Sequence, residues 1–267
     1  MNSYKGKMDS FDLRDIAVAL HTAKTDNKPM APPSRTWPAL DTDSAFEVQR
    51  ITTRNAVKNG DRLVGYKLGN IAKAMQAAFG VDEPDYGFLV GSSLRYEGTP
   101  LKRSDYIKPY VELEPAVVLK SPLRGPGVTV IDVINAIDYV LPSLEIIDSR
   151  VTNWEINHSD TLADNGSCGS VILGGVPRKL TELSLNNCRG SLSFNGVEKM
   201  SGNTNAILGN PLNGIAWLAN RLAAYGVEFE AGQLILPGSC LEAVPIDEPG
   251  HWIGTFEGFG TVEFDVE

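Results

Sequence analysis

The first sixty residues show two helical patterns separated by a proline-rich interruption. At 10–24 the apolar residues recur every three or four positions, the spacing of an amphipathic helix, and Ser10 is a suitable N-cap. Residues 25–44 are rich in proline and polar side chains, which predicts a loop. A second helix is predicted at 44–59. These elements define a helical N-terminal section, residues 1–61.

From residue 62 onwards the pattern changes to short runs of β-branched and aromatic residues bounded by Gly, Pro or Asp, which are typical of strands. We predict strands at 62–68, 86–91, 110–119, 143–148, 169–175, 234–244, 251–257 and 260–266. Helices are predicted at 70–79, 130–139 and 212–225. Because strands dominate without regular alternation with helices, the pattern predicts an α+β fold with a mixed-β catalytic domain at 62–267.

Composition and charge exclude several classes of protein. The net charge is −9 and the isoelectric point is near 4.9, which does not favour nucleic-acid binding because phosphates need clustered Lys and Arg. No run approaches the roughly 20 apolar residues of a membrane span. The three cysteines are scattered and odd in number, so a disulfide framework is not expected. We therefore expect a soluble cytoplasmic protein that binds neither nucleic acid nor membranes.

Three glutamates are candidates for chemistry. Glu112 and Glu114 are two positions apart in a predicted strand, so their side chains project from the same face. Glu145 lies in another predicted strand between the apolar residues Leu144 and Ile146. Clustered buried carboxylates repel one another unless a cation lies between them. However, paired acids on a strand are usually a solvated face, and spacing alone does not show that the two strands meet.

Several sequence motifs in a constant order resemble those of a known family. From Val64 to the C-terminus, the chain resembles the fumarylacetoacetate hydrolase-like superfamily, in its branch of 2-oxo-pent-4-enoate hydratases and 4-oxalocrotonate decarboxylases. The matching motifs are VGYKLG (64–69), PDYG (84–87), E-x-E (112–114), LEIIDSR (144–150), DTLADN (160–165), SCG (167–169), LGNP (208–211), LPGS (236–239) and GFGTV (258–262). The resemblance implies a closed, mostly β core with peripheral helices.

The same resemblance implies a metal centre. In this family the E-x-E pair and the glutamate before I-D-S-R hold a divalent cation, Mg²⁺ or Mn²⁺, and the matching residues are Glu112, Glu114 and Glu145. Carboxylate ligands suit such hard cations rather than Zn²⁺.

Four further residues match positions that surround the substrate in the family. Lys67 and Asp85 match the catalytic lysine and a loop acid, and Ser167 and Ser239 match small polar positions that contact substrate. Without the resemblance, Lys67 is an exposed lysine, Asp85 belongs to a turn, and the serines lie in loops.

The resemblance implies a small 2-oxo acid as substrate and leaves the reaction open. The motifs at 160–169 and 217–220 favour a hydratase that adds water to a 2-hydroxy-2,4-dienoate through an enolate. Those at 120–127 and 136–140 favour a decarboxylase of a 2-oxo diacid. A hydrolase of acylpyruvate-type bonds is a third candidate, and a non-catalytic partner subunit is a fourth. Family resemblance also implies a homo-oligomer, with possible pairing of hydratase and decarboxylase.

The chain departs from the family at positions near the proposed site. Pro115 follows Glu114 where relatives usually carry an aliphatic residue, and it predicts a bulge or an edge because proline cannot donate to a ladder. Asn70 replaces the first residue of a usual Thr-Ser pair. Asp148 and Arg150 are expected to form a structural ion pair.

Overall fold

The computed structural model describes residues 8–71 and 83–267. The predicted helix at 70–79 lies outside the described residues, apart from its first two positions. In the described ranges, no helix is long and apolar enough to cross a membrane.

The described elements are short strands with helices between them. The helices are α1 (Ser10–Thr25), α2 (Pro33–Thr36), α3 (Thr42–Lys58), α4 (Val130–Ala136), α5 (His158–Ala163) and α6 (Pro211–Ala223). The strands are β1 (Leu63–Gly69), β2 (Asp85–Val90), β3 (Leu94–Tyr96), β4 (Tyr110–Leu119), β5 (Ile137–Ile147), β6 (Cys168–Leu173), β7 (Arg189–Phe194), β8 (Val197–Asn203), β9 (Leu234–Leu236), β10 (Val244–Pro245), β11 (Gly250–Phe256) and β12 (Gly260–Val266).

These strands form two sheets, a larger mixed sheet and a smaller antiparallel sheet. The larger sheet has the order β2-β1-β9-β4-β5-β6-β3, with β10 paired to β4, and the smaller sheet has the order β12-β11-β7-β8. Within the larger sheet, β4 and β5 pair antiparallel from Tyr110 opposite Ile147 to Leu119 opposite Ile137. The predicted α+β fold is confirmed, and the long β4–β5 ladder lies in the middle of the larger sheet.

The N-terminal helices begin two residues or fewer from their predicted starts, and the N-cap of α1 differs from the predicted one. Asp9 is the N-cap of α1 and accepts hydrogen bonds from the backbone of Phe11 and Asp12, whereas Ser10 is the first helical residue. Asp41 caps α3 in the same way. An aspartate is as good a cap as serine, so composition alone does not separate neighbouring candidates.

The boundary between α4 and β5 differs from the sequence-based prediction. The predicted helix at 130–139 ends at Ala136, and β5 begins at once with Ile137 and extends well beyond the predicted strand at 143–148. Ile137 and Val140 are buried and pair with β4. Pairing with a central strand therefore outweighs the helical spacing of these residues.

The helical section packs directly against the part of the sheet that carries β2. Phe46 of α3 is almost fully buried, and its ring centroid lies 5.6 Å from those of both Tyr86 and Phe88. The buried amide of Gln49 donates to the backbone carbonyls of Tyr86 and Leu162. The division of the chain at residue 61 stays a prediction, and these contacts show that α3 supports β2 and α5.

Pro115 lies in β4 without a local bulge. It is opposite Pro142 of β5, and the register continues unbroken through this pair. On the other side of β4, β10 pairs only with residues 110–111 and β9 only with 117–118. Of the two predicted alternatives, a bulge or an edge, the structure has a local edge at this position.

Candidate active site

The three glutamates meet at the centre of the β4–β5 ladder. Glu112 is directly opposite Glu145, and Glu114 is opposite Ser143. One carboxylate oxygen from each glutamate lies within 4.8 Å of the others. Glu114 and Glu145 are fully buried, and Glu112 is partly accessible. The structure therefore excludes a solvated acidic face and forms a compact oxygen-lined cluster.

Several carboxylate oxygens of the cluster lack hydrogen-bond donors among the described residues. Within the described part of the chain, Glu114 Oε1 and both carboxylate oxygens of Glu145 have no hydrogen-bond partner. Glu114 Oε2 accepts a hydrogen bond of 2.9 Å from Gly238 N. Burial and repulsion from Glu145 raise the pKa of Glu112 to about 8 and the pKa of Glu114 well above its ordinary value. A divalent cation fits this arrangement because it would neutralise the charge and coordinate the orphaned oxygens.

Lys67 lies beside the glutamate cluster on β1. Its ammonium donates a 2.7 Å hydrogen bond to Gly166 O, and it lies 3.5 Å from Glu145 Oε1 and 3.7 Å from Asp85 Oδ1. Burial lowers the pKa of Lys67, but attraction to Glu145, Asp85 and Glu112 exceeds that effect and holds the pKa above its ordinary value. Lys67 is therefore a buried ammonium at neutral pH.

Asp85 is held next to Lys67 by the pairing of β1 with β2. Its Oδ2 accepts hydrogen bonds from Asn70 Nδ2 at 2.7 Å and Thr161 Oγ1 at 3.0 Å. Its buried Oδ1 has no hydrogen-bond partner among the described residues and faces the ammonium of Lys67. The family motifs suggested Asp85, whereas Thr161 was missed, although it lies within the matching DTLADN motif.

Two glycines leave the space that the Lys67–Asp85 pair occupies. A Cβ atom at Gly69 would lie 2.4 Å from Asp85 Oδ1 and 2.9 Å from Lys67 Nζ. A Cβ atom at Gly166 would lie 3.0 Å from Lys67 Cδ, and this residue has a φ of +59°. Any other side chain at Gly69 would therefore displace Asp85, Lys67 or both.

The two predicted serines differ in their surroundings. Ser167 is buried, and its hydroxyl lies 3.4 Å from that of Thr161, which contacts Asp85. The hydroxyl of Ser239 lies 2.8 Å from Leu241 O and 3.2 Å from Leu113 O, so local backbone carbonyls compete for its hydrogen. Contact of either serine with substrate stays a prediction.

Arg150 fixes the loop that carries Gly166. Its ion-pair partner is Asp164, not Asp148 as predicted, and it also donates to the backbone carbonyls of Asp148 and Cys168. Asp148 instead accepts hydrogen bonds from two backbone amides, those of residues 107 and 108. The buried Arg150–Asp164 pair therefore holds both ends of the 164–168 loop, whose carbonyl at Gly166 accepts from Lys67.

Known proteins share this architecture and much of this sequence. Residues 57–267 match the family model described as fumarylacetoacetate (FAA) hydrolase C-terminal. The chain is 41% identical over 236 residues to 2-oxo-hept-4-ene-1,7-dioate hydratase of Escherichia coli, covering 86% of this chain and 88% of that protein. It is 35% identical over 254 residues to 2-keto-4-pentenoate hydratase of Burkholderia vietnamiensis, covering 95% and 97% of the two chains.

A solved structure is similar over nearly the whole chain. It is 4-oxalocrotonate decarboxylase from Pseudomonas putida G7, complexed with magnesium and adipate, with a TM-score of 0.94 and 32% identity. The similarity covers 98% of this chain and 99% of the decarboxylase.

Proposed function

The chain belongs to the fumarylacetoacetate hydrolase family, as its motifs indicated, and we propose that it is a divalent-metal-dependent hydratase. It adds water to a 2-hydroxy-2,4-dienoate and releases a 4-hydroxy-2-oxo acid, which makes it a lyase. The observation that carries this proposal is the buried cluster of Glu112, Glu114 and Glu145 beside the Lys67–Asp85 pair. The similarity to two enzymes named as hydratases supports the choice of reaction.

Glu112, Glu114 and Glu145 are the proposed ligands of Mg²⁺ or Mn²⁺. The orphaned oxygens of Glu114 and Glu145 and the raised pKa values of Glu112 and Glu114 support this assignment, because a bound cation removes both costs. When bound, such a cation supplies a Lewis acid that polarises the 2-oxo group and stabilises negative charge on the substrate. A related decarboxylase has been solved with magnesium.

Lys67 and Asp85 are the proposed proton-transfer residues. Hydration of a 2-hydroxypenta-2,4-dienoate requires loss of the O2 proton and protonation at C5, followed by addition of water at C4 and protonation at C3. Asp85 Oδ1, which faces the ammonium of Lys67 and lacks a described hydrogen-bond partner, is placed to accept a proton. The Lys67 ammonium is placed to donate one, and burial of both groups excludes bulk water.

Ser167 and Ser239 are the proposed contacts for the polar groups of the substrate. Ser167 has the stronger support, because its buried hydroxyl adjoins Thr161 and thereby the Asp85 carboxylate. Ser239 follows Gly238, whose amide contacts Glu114, so its support is proximity to the cluster.

A metal-dependent decarboxylase of a 2-oxo diacid is the second candidate. The close structural similarity to 4-oxalocrotonate decarboxylase favours it specifically. A non-catalytic partner subunit is less favoured, because an inert protein gains nothing from clustering three carboxylates of which two are fully buried. Self-association, and pairing of hydratase with decarboxylase, are proposed on family membership alone, and light scattering after gel filtration tests the former.

Product analysis separates the two reactions. The protein would be incubated with Mg²⁺ and either 2-hydroxypenta-2,4-dienoate or 4-oxalocrotonate, and products followed by proton NMR and CO₂ release. Formation of 4-hydroxy-2-oxopentanoate from the diene supports the hydratase. Release of CO₂ from the diacid, with no change in the diene, would replace it by the decarboxylase.

A further inference from the structure

Among the described residues, hydrogen-bond donors contact one of the two carboxylate oxygens of Asp85. Oδ2 accepts from Asn70 Nδ2 at 2.7 Å and from Thr161 Oγ1 at 3.0 Å, and Oδ1 lies 3.7 Å from Lys67 Nζ. A distance of 3.7 Å exceeds that of a hydrogen bond, and the Lys67 ammonium instead donates to Gly166 O. Lys67 therefore attracts Asp85 without fixing the rotation of its carboxylate.

Rotation of this group needs a specific restraint. The terminal torsion of an aspartate is broad, so without a restraint the plane of the carboxylate can take a range of angles relative to the Lys67 ammonium. Two donors on Oδ2 select one orientation and leave Oδ1 directed at Lys67. Because Asp85 is 3% exposed, bulk water does not compete for Oδ2. Hydrogen bonds to a charged acceptor in such surroundings are stronger than those between neutral groups.

The two donors come from different elements. Asn70 directly follows β1, the strand that carries Lys67, and Thr161 lies in α5. Asp85 is the first residue of β2 and is opposite Gly69. The Asn70 amide therefore ties the end of the strand that carries the ammonium to the carboxylate on the next strand.

We propose that Asn70 is a positioning residue for the reaction, holding Asp85 so that Oδ1 faces Lys67 and the substrate proton. This inference rests on the proposed function of the Lys67–Asp85 pair. Asn70 acts through Asp85 and needs no contact with the substrate. Its loss is expected to slow turnover while leaving substrate affinity nearly unchanged.

A simpler explanation for asparagine at position 70 is that the backbone conformation there requires a residue that tolerates a positive φ. Its φ is +51°, in the left-handed region that asparagine and glycine tolerate. Glycine serves this conformation at least as well as asparagine but has no amide to donate. Asn70→Gly therefore separates the two roles, and Asn153→Gly is a matched control, because Asn153 is an exposed residue with a φ of +54°.

The test compares steady-state diene hydration by wild type, Asn70→Gly and Asn153→Gly at saturating Mg²⁺. The expected result is a fall in kcat of at least about tenfold for Asn70→Gly, with KM within about twofold of wild type, since small misplacements of a catalytic group are costly. Asn153→Gly is expected to keep the wild-type kcat. A kcat for Asn70→Gly within about twofold of wild type would overturn the proposal.

A crystal structure of Asn70→Gly provides a measurement that does not depend on turnover. A rotated Asp85 carboxylate supports the positioning role, and an unchanged orientation overturns it. If Asn70→Gly does not fold, Asn70→Ala also lacks the amide donor and adds no charge beside Asp85, so the same two outcomes apply. Failure of the wild type to hydrate the diene would contradict the proposed function, and the crystal structure would still decide the role of Asn70.

Discussion

Glu112 and Glu145 are directly opposite each other in adjacent antiparallel strands. Like charges at opposed positions of a sheet destabilise it, and burial increases the cost. Glu114 adds a third carboxylate from the same strand as Glu112, and an oxygen of each lies within 4.8 Å of the others. A cation shared by the three groups would turn this unfavourable arrangement into a binding site, which is the basis of the predictions below.

Replacing Glu114 by glutamine is expected to abolish stabilisation by metal. The pKa of Glu114 is raised well above its ordinary value by burial and by Glu145 and Glu112, so the metal-free protein disfavours a charge here and tolerates a neutral amide. The variant should therefore melt within about 2 °C of the metal-free wild type. Added Mg²⁺ should raise the melting temperature of the wild type but not of the variant, as measured by scanning calorimetry. An equal rise in both would contradict the assignment of Glu114 as a ligand.

The stability of the metal-free protein is expected to depend on pH through Glu112. Burial and repulsion from Glu145 raise its folded-state pKa from 4.5 to about 8, so over this range the folded state retains a proton that the unfolded state has released. The free energy of unfolding contributed by this group is therefore highest below pH 4.5 and is lost as pH rises through 8.

Urea titrations in EDTA at about pH 6 and about pH 8.5 measure this effect. The wild type should lose more stability than Glu112→Gln between the two values, and Mg²⁺ should reduce the difference by favouring the carboxylate. Equal losses in the two proteins without metal would show that Glu112 does not have a raised pKa.

Lys67→Met is expected to separate turnover from metal binding. Loss of the ammonium removes the proposed proton donor, and turnover should fall by about 10²- to 10⁴-fold. The same change removes a positive charge 3.5 Å from Glu145, so the affinity for Mn²⁺, measured by calorimetry, should not decrease. The exposed Lys120→Met is the control and should keep wild-type values. A weaker Mn²⁺ affinity with unchanged turnover would show that Lys67 supports metal binding and does not transfer a proton.

Gly69→Ala is expected to inactivate the protein by displacing the Lys67–Asp85 pair. The new methyl group would lie 2.4 Å from Asp85 Oδ1 and 2.9 Å from Lys67 Nζ, so one or both must move. A displacement of about 1 Å can lower turnover about 100-fold. Gly175→Ala, whose new methyl group meets nothing closer than 3.6 Å, should remain active. Full activity of both variants would contradict the proposal that turnover depends on the positions of Lys67 and Asp85.

The sequence predicted which residues gather at this site better than it predicted their detailed contacts. Alternation along a strand placed Glu112 and Glu114 on one face, and the family motifs added Glu145, Lys67 and Asp85. Sequence spacing alone could not establish that β4 and β5 pair with Glu112 opposite Glu145, because register depends on both strands and their partners. The glutamate cluster is therefore a property of the ladder rather than of either motif.

The remaining differences have a common physical cause in tertiary contacts. Ile137 belongs to β5 because β4 offers it a partner, although its apolar spacing also fits a helix. Thr161 contacts Asp85 across 76 positions in the chain. Arg150 forms its ion pair with Asp164, although Asp148 is nearer in sequence. Local composition carries no information about such distant partners.

Metal-dependent hydration of 2-hydroxypenta-2,4-dienoate, followed by loss of the ultraviolet absorbance of the diene, tests the central claim most directly. The account predicts that the wild type consumes the diene with Mg²⁺ or Mn²⁺, forms 4-hydroxy-2-oxopentanoate, and stops when EDTA is added. Glu112→Gln should show no metal-dependent turnover. Loss of the diene that persists in EDTA, or that is unchanged in Glu112→Gln, would contradict a hydratase that uses this glutamate cluster as its metal centre.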